Sequence, residues 1–174
     1  VAKELMKIGA DIIWLGDDVG AQHGMMLSPK MWREVFKERL RFVISALKRE
    51  NPKIKIAYHC CGSYFPIMSD LIEIGVDILN ALQPTAVNMD LKKIKDTFGS
   101  RVTLFGGIDT QGVVPFGSLA EIEHEVKRVI NAAAKGGGYI LAGAHNIQPD
   151  TSVPKLVKLF EFAQKYGTYP LLES

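Results

Sequence analysis

The chain has 174 residues, 47% of them hydrophobic, and a formal net charge of +2. That length suffices for one domain with a hydrophobic core, and the composition excludes a disordered chain. The small net charge and the lack of a basic patch argue against a nucleic-acid partner, and the short apolar runs argue against a membrane span.

Helical and strand patterns alternate from one end of the chain to the other. Strands are predicted, in chain order, over residues 12–15, 53–58, 77–82, 102–105 and 139–141. Helices are predicted over residues 2–8, 28–49, 66–75, 90–99, 118–135 and 154–166. Ser28-Pro29 and the capping box at Ser118 are the clearest helix starts, and Gly75 is typical of a helix end. A loop rich in Asp and Gly, residues 16–27, follows the first strand.

These elements indicate an α/β fold, a (β/α)8 TIM barrel of which the chain supplies about five C-terminal β/α units. The strands are apolar and β-branched, as in parallel sheets buried on both faces, and polar glycine-rich loops follow them. A full barrel needs roughly 250 residues, so we expect residues 1–174 to be a single domain that lacks about three strands. An open, doubly wound sheet is the alternative, but no G-x-G-x-x-G motif favours it.

The two cysteines, Cys60 and Cys61, are adjacent in the sequence. A disulfide between neighbours is strained and closes no useful loop. We therefore expect reduced thiols in a cytoplasmic protein.

A metal site is predicted at the end of the second strand. His59 and Cys61 are two residues apart, so their side chains point the same way while Cys60 points the other way. His145 follows the last strand, and in a barrel both strand ends face the same bowl. Two imidazoles and a thiol with an open fourth position fit a catalytic zinc site.

Polar residues at other strand ends are further candidates. Asp17 and Asp18 follow the first strand, and Asp109 follows the fourth. We predict that Asp18 and Asp109 orient a ligand or a metal-bound histidine, and that His145 acts with them in catalysis. Asp17, Gln83 and His23 are predicted to contact substrate. For each of the acidic residues, a turn or a helix cap is the simpler structural alternative.

The sequence resembles the uroporphyrinogen decarboxylase superfamily, and within it the methylcobalamin:coenzyme M methyltransferases. His59-Cys60-Cys61-Gly62 resembles the H-x-C-G zinc motif of those enzymes. Further segments agree in order along the chain: Asp17–Gly20 with Met26–Pro29, Phe105–Asp109, Gly138–Leu141, and His145 with Pro149–Thr151. The resemblance covers nearly the whole chain, as the C-terminal half to two-thirds of the family's barrel.

The resemblance leaves two activities open. It implies zinc, a thiol acceptor bound at the metal, and a methyl donor carried by a corrinoid protein. The methyltransferases, however, have a cysteine as the third ligand, where this chain has His145. A histidine there is similar to the decarboxylases themselves, which use no metal and act on the carboxylates of a tetrapyrrole. The alternative function is therefore a tetrapyrrole decarboxylase, with the H-x-C pattern incidental.

An open five-stranded sheet would expose two edges. Pairing with another chain, as in a homo-oligomer, is one way in which such edges are covered.

Overall fold

A computed structural model describes residues 1–171, and the last three residues of the predicted domain, 172–174, lie outside the described residues. Within that range the strands are β1 (Ile12–Gly16), β2 (Gly20–Ala21), β3 (Gly24–Met25), β4 (Lys55–His59), β5 (Ile78–Asn80), β6 (Thr103–Ile108) and β7 (Tyr139–Gly143). The α-helices are α1 (Ala2–Lys7), α2 (Pro29–Trp32), α3 (Glu38–Glu50), α4 (Met68–Glu73), α5 (Leu91–Phe98), α6 (Val113–Phe116), α7 (Leu119–Ala133) and α8 (Val153–Gly167).

The main sheet contains the five predicted strands, all parallel, in the order β1-β4-β5-β6-β7. Each strand therefore pairs with the next one along the chain, and the helices connect them. A doubly wound sheet reverses its strand order about a switch point, whereas a barrel adds its strands in sequence. This order confirms the α/β prediction and the five barrel-type β/α units.

The helix starts follow the local capping chemistry. The Ser28 hydroxyl accepts a hydrogen bond from the Met31 N–H at 3.1 Å, and Ser118 and Glu121 form the predicted capping box. The long helix predicted from Ser28 is present as α2, a π-helical turn over Arg33–Lys37, and α3. None of these helices within residues 1–171 is long and apolar enough to cross a membrane.

Two short elements were not expected from the sequence. The predicted loop 16–27 contains the antiparallel hairpin β2–β3, and the short helix α6 follows β6. Two-residue strands and a single helical turn are too short for a hydrophobic period to develop. The hairpin matters for the site because it packs on the loop that follows β4.

The two faces of the main sheet differ in burial. On one face Ile13, Ile56 and Leu104 belong to the buried core shared with the helices. The other face carries Trp14 and His59, and Trp14 is 51% exposed in the described part of the chain. In a barrel this second face lines the bowl, where function is located.

A buried ion-pair network joins the π-helical turn to α4. Asp70 is buried, and its carboxylate accepts hydrogen bonds from Arg33 Nε at 3.0 Å and from Lys37 Nζ at 2.7 Å. Lys37 also binds Glu73 at 2.8 Å. Burial by itself would raise the pKa of Asp70, but the hydrogen bonds and charges of Arg33 and Lys37 outweigh it and lower the pKa below 3.8.

We expect Asp70→Asn to lower the free energy of unfolding by about 2–3 kcal/mol near neutral pH. Removing one partner of a buried pair is costly, although Arg33 is partly exposed and Lys37 keeps Glu73. A carboxylate with a lowered pKa stabilises the fold above its unfolded pKa, and this contribution disappears as the pH falls through the folded value. The difference between wild type and variant should therefore be constant above about pH 5 and shrink below pH 3.8. Urea unfolding across this pH range measures it.

Asp96→Asn is the matched control. Asp96 pairs with Lys92 on the surface of α5, and both side chains are 60% exposed. An exposed pair of this kind contributes about 0.5 kcal/mol or less. If the two variants lost equal amounts of unfolding free energy, the Asp70 network would stabilise the fold no more than an exposed ion pair does.

Candidate metal centre

The register of three neighbouring strands places His59 at the carboxyl end of the sheet. His59 of β4 is paired with Gly16 of β1 on one side and with Asn80 of β5 on the other. A Cβ atom at Gly16 would lie 3.2 Å from the Cβ of His59, so glycine leaves room for the imidazole. His59 and Asn80 lie side by side on the bowl face because paired residues of parallel strands point the same way.

His59, Cys61 and His145 converge at this end of the sheet. Their ligand atoms all lie within 4.8 Å of one another, and His59 Nε2 is 3.4 Å from Cys61 Sγ. The two imidazole rings have centroids 5.9 Å apart and meet edge to face. His145 follows β7 directly, since the Ala144 N–H donates to the Ile108 carbonyl and extends the pairing with β6.

Asn80 fixes the orientation of His59. The Asn80 side-chain N–H donates to the Phe105 carbonyl at 3.1 Å, which turns the amide oxygen towards His59. That oxygen accepts a hydrogen bond from His59 Nδ1 at 2.6 Å. Since Nδ1 then carries the proton, Nε2 keeps its lone pair and directs it at Cys61. This is the arrangement in which a neutral histidine binds a metal.

The loop after β4 is held by side chains from two other strand ends. The Cys61 N–H donates to Asp18 Oδ1 at 2.8 Å, and the Gly62 N–H donates to Gln83 Oε1. The hairpin closes over the loop, where the Ser63 N–H donates to the Ala21 carbonyl at 2.9 Å. Gly62 has a φ of +69°, and a Cβ there would lie 2.6 Å from the Ala21 backbone. Only glycine fits this position of the H-x-C-G sequence.

The thiols are protonated at neutral pH in the metal-free chain. Burial, assisted by the negative charge of Asp18, raises the pKa of Cys61 to about 11. Burial also raises the pKa of Cys60 to about 12, against the opposing hydrogen bonds from the Val19 and Gly20 N–H groups. Cys61 is thus not an activated nucleophile by itself, and a metal that binds it displaces a proton.

Asp18 carries a negative charge beside the two histidines. The hydrogen bond from the Cys61 N–H lowers its pKa most, and the histidine charges lower it further. Its Oδ1 lies 3.9 Å from His59 Nε2. The pKa of Asp17 is raised, first by burial and then by the charge of Asp18. The pKa values of the two neighbouring carboxylates therefore shift in opposite directions, and Asp18 is the one that lies beside the histidines.

The donor set fits zinc. Ligand atoms around a tetrahedral zinc ion, bound at about 2.0–2.3 Å, lie about 3.3–3.6 Å apart. The distance of 3.4 Å between His59 Nε2 and Cys61 Sγ falls in this range, and His145 lies within reach of both. Two imidazoles and a thiol are donors suited to zinc, and three protein ligands leave a position for a substrate.

The remaining predicted site residues take other positions. The Asp109 carboxylate accepts hydrogen bonds from the N–H groups of Gln111, Gly112 and Val113, as a turn and helix cap does. His23 is exposed in the turn of the β2–β3 hairpin, and no hydrogen bond joins it to the other candidates within residues 1–171. The Asp17 backbone continues the strand pairing through its N–H bond to the His59 carbonyl.

Asn80 is the residue of this site that the sequence reasoning missed. It lies inside the predicted strand 77–82, whereas in the structure β5 ends at Asn80 as β4 ends at His59. The available signal was a polar residue within an apolar run. Trp14 was missed for a similar reason, since it sits inside a continuous apolar run and gives no sign of facing the bowl. Its ring lies 6.4 Å from that of His59 and 5.5 Å from that of Phe105.

Comparison with known proteins identifies a family and a fold. The family model described as "Uroporphyrinogen decarboxylase (URO-D)" matches residues 1–166. Among solved structures, the chain is similar to a methyltransferase from Methanosarcina mazei, with 24% sequence identity and a TM-score of 0.76. The alignment covers 96% of this chain but 45% of the methyltransferase, so the chain spans less than half of that protein.

A second solved structure shares the fold at lower similarity. It is a dihydropteroate synthase from Coxiella burnetii in complex with pteroic acid, with 18% identity and a TM-score of 0.60. The alignment covers 98% of this chain and 61% of the synthase. The search of proteins with curated functions gave no match.

Proposed function

This chain belongs to the uroporphyrinogen decarboxylase family, and we propose that within it the protein is a zinc-dependent methyltransferase that moves a methyl group to a thiol. The observation that supports this most is the convergence of His59, Cys61 and His145 within 4.8 Å. A metal-free decarboxylase has no need for a thiol between two imidazoles. The similar methyltransferase fold is consistent with the proposal.

Some side chains of the site would bind the metal, and others orient the residues that bind it. His59, Cys61 and His145 would hold zinc, and bound zinc would supply the Lewis acidity that favours the thiolate form of an acceptor thiol. Asn80 keeps the proton on His59 Nδ1, while Asp18 and Gln83 hold the backbone of the Cys61 loop. These three residues act through the ligands, so they are positioning residues.

The donor of the methyl group would be a corrinoid carried by a partner protein. The sulfur of the acceptor thiol forms a bond to the methyl carbon as the carbon–cobalt bond breaks, and the electron pair of that bond stays with the corrinoid. The thiol loses its proton to solvent, which reaches the site because His145 is exposed. The products are a methyl thioether and the demethylated carrier.

The decarboxylase alternative places the carboxylates of a tetrapyrrole in the same bowl. The group of His59, Cys61 and His145 is what favours the methyltransferase, since a decarboxylation that uses no metal has no need for a thiol between two imidazoles.

Metal content and activity together test the proposal. The whole chain, purified under reducing conditions, should hold close to one zinc per chain by mass spectrometric metal analysis. The zinc-loaded protein should transfer methyl groups from free methylcobalamin to a small thiol, and uroporphyrinogen should remain unchanged. Absence of stoichiometric zinc, or decarboxylation that persists in a Cys61→Ser variant, would contradict the proposal.

A further inference from the structure

A buried ion pair on α7 lies behind the end of β6, on the helix side of the sheet. Glu125 is 6% exposed, and its carboxylate accepts hydrogen bonds from Arg128 Nε at 2.6 Å and from Arg128 Nη2 at 2.8 Å. Replacing a buried pair of this kind by apolar residues is often neutral or stabilising. Stability alone therefore does not account for two charges at these positions, so we examined what else the pair contacts.

The pair contacts an irregular stretch of β6. Gly106 and Gly107 have φ values of +121° and +101°, which glycine adopts without strain. The register with β5 ends at Leu104, so within residues 1–171 this stretch pairs with β7 alone. Side chains bind both of its carbonyls: Tyr139 Oη donates to Gly106 at 2.6 Å, and Arg128 Nη2 donates to Gly107 at 3.3 Å. The end of β6 is thus held from the helix layer.

One peptide unit connects Glu125 to the segment that carries His145. The Asp109 N–H donates to Glu125 Oε1 at 3.0 Å. The carbonyl of the same peptide, that of Ile108, accepts a hydrogen bond from the Ala144 N–H at 2.8 Å. A peptide unit is planar and rigid, so the contact with Glu125 determines where the Ile108 carbonyl points. Ala144 directly precedes His145 in the chain.

We infer that the Glu125–Arg128 pair positions His145 for metal binding. The inference rests on the proposed function and adds two residues of the helix layer to its site. The other two candidate ligands are held from neighbouring strand ends, whereas His145 is held through the backbone from a helix behind the sheet. Glu125 and Arg128 touch neither the metal ligands nor the bowl, so both are positioning residues.

Two variants that affect stability and the site in opposite ways test the inference. In Glu125→Met/Arg128→Met, unbranched apolar side chains replace the pair, so the fold should be kept while the Asp109 N–H loses its acceptor. In Glu125→Gln, an amide oxygen can still accept from that N–H, but Arg128 loses its counter-charge. We expect the double variant to unfold at a urea concentration close to that of wild type, and Glu125→Gln to unfold at a lower one.

Hydrogen exchange of the metal-free whole chain measures how firmly the segment before His145 is held. Relative to the amides of β4, the Ala144 amide should exchange about tenfold faster in the double variant, the order expected for one lost hydrogen bond. In Glu125→Gln it should stay within about threefold of wild type. Unchanged exchange of Ala144 in the double variant would overturn the inference and leave the proposed function standing.

Zinc affinity, measured by competition with a chelator, connects this backbone contact to the ligand. It should fall about tenfold in the double variant, the lower end of the range for partners of metal-binding residues, and stay within about threefold in Glu125→Gln. If affinity instead follows stability in both variants, the pair serves the fold alone and the inference is wrong. Absence of zinc uptake by wild type would contradict the proposed function, and the exchange of Ala144 would still show whether Glu125 holds this segment.

Lys158→Met/Glu161→Met is the matched control. This pair has the same spacing of three residues, lies on α8, and has side chains that are 45% and 52% exposed. It should change neither the exchange of Ala144 nor the zinc affinity. Equal changes in the control would overturn the specific role of the pair on α7.

Discussion

Replacing Cys61 by alanine is expected to weaken zinc binding about a thousandfold and to abolish methyl transfer. Zinc bound by cysteine and histidine ligands gains about 10–16 kcal/mol in total, so each ligand contributes about 4 kcal/mol. Cys61 is the thiol donor in the group, and its loss leaves two imidazoles within 4.8 Å. Competition with a chromophoric chelator at fixed pH measures the affinity, and methyl transfer from methylcobalamin measures the activity.

Cys60→Ala provides the matched control. Cys60 is fully buried in the core and belongs to the opposite face of the strand, so its thiol lies outside the candidate site. This variant should lose about 1 kcal/mol of stability through the missing packing and keep its zinc. A Cys61→Ala protein that retains wild-type zinc affinity would rule out the metal site.

The fold was predictable because its determinants are local and periodic. Helix starts at Ser28 and Ser118 depend on neighbours three residues away, and both were found where the capping chemistry placed them. The barrel-type order follows from short strands separated by helices. The β2–β3 hairpin escaped prediction because its pairing involves two residues on each side and leaves no periodic pattern.

The sequence predicted only those site residues whose positions follow from strand geometry alone. Alternation along β4 brings His59 and Cys61 to one side, and barrel topology adds His145. Asp18 and Asp109 give the same signal in the sequence, an acidic residue that follows a strand and has a glycine two residues away. Asp109 binds N–H groups two to four residues away, while Asp18 binds the Cys61 N–H across 43 positions. The different roles of Asp18 and Asp109 are therefore visible in the structure and not in the sequence.

Replacing Asn80 by leucine is expected to weaken zinc binding about 10- to 100-fold, the range found when a partner of a metal-binding histidine is removed. Leucine has the same number and branching of side-chain heavy atoms as asparagine and accepts no hydrogen bond, so His59 would lose the contact that keeps the proton on Nδ1. The imidazole could then rotate or place its proton on Nε2, where zinc must bind. Chelator competition gives the affinity, and the visible spectrum of the cobalt-substituted protein reports whether the ligand set stays tetrahedral.

Asn80→Asp separates the role of the acceptor from that of the buried amide. An aspartate oxygen can still accept from His59 Nδ1, but it cannot donate to the Phe105 carbonyl, which Asn80 contacts at 3.1 Å. We expect Asn80→Asp to be less stable than wild type and to bind zinc within a few-fold of it, because a carboxylate also orients a metal-binding histidine. If both variants lose affinity in proportion to their loss of stability, Asn80 serves the fold alone. If only Asn80→Leu loses affinity, the hydrogen bond from β5 to β4 is what prepares His59 to bind the metal.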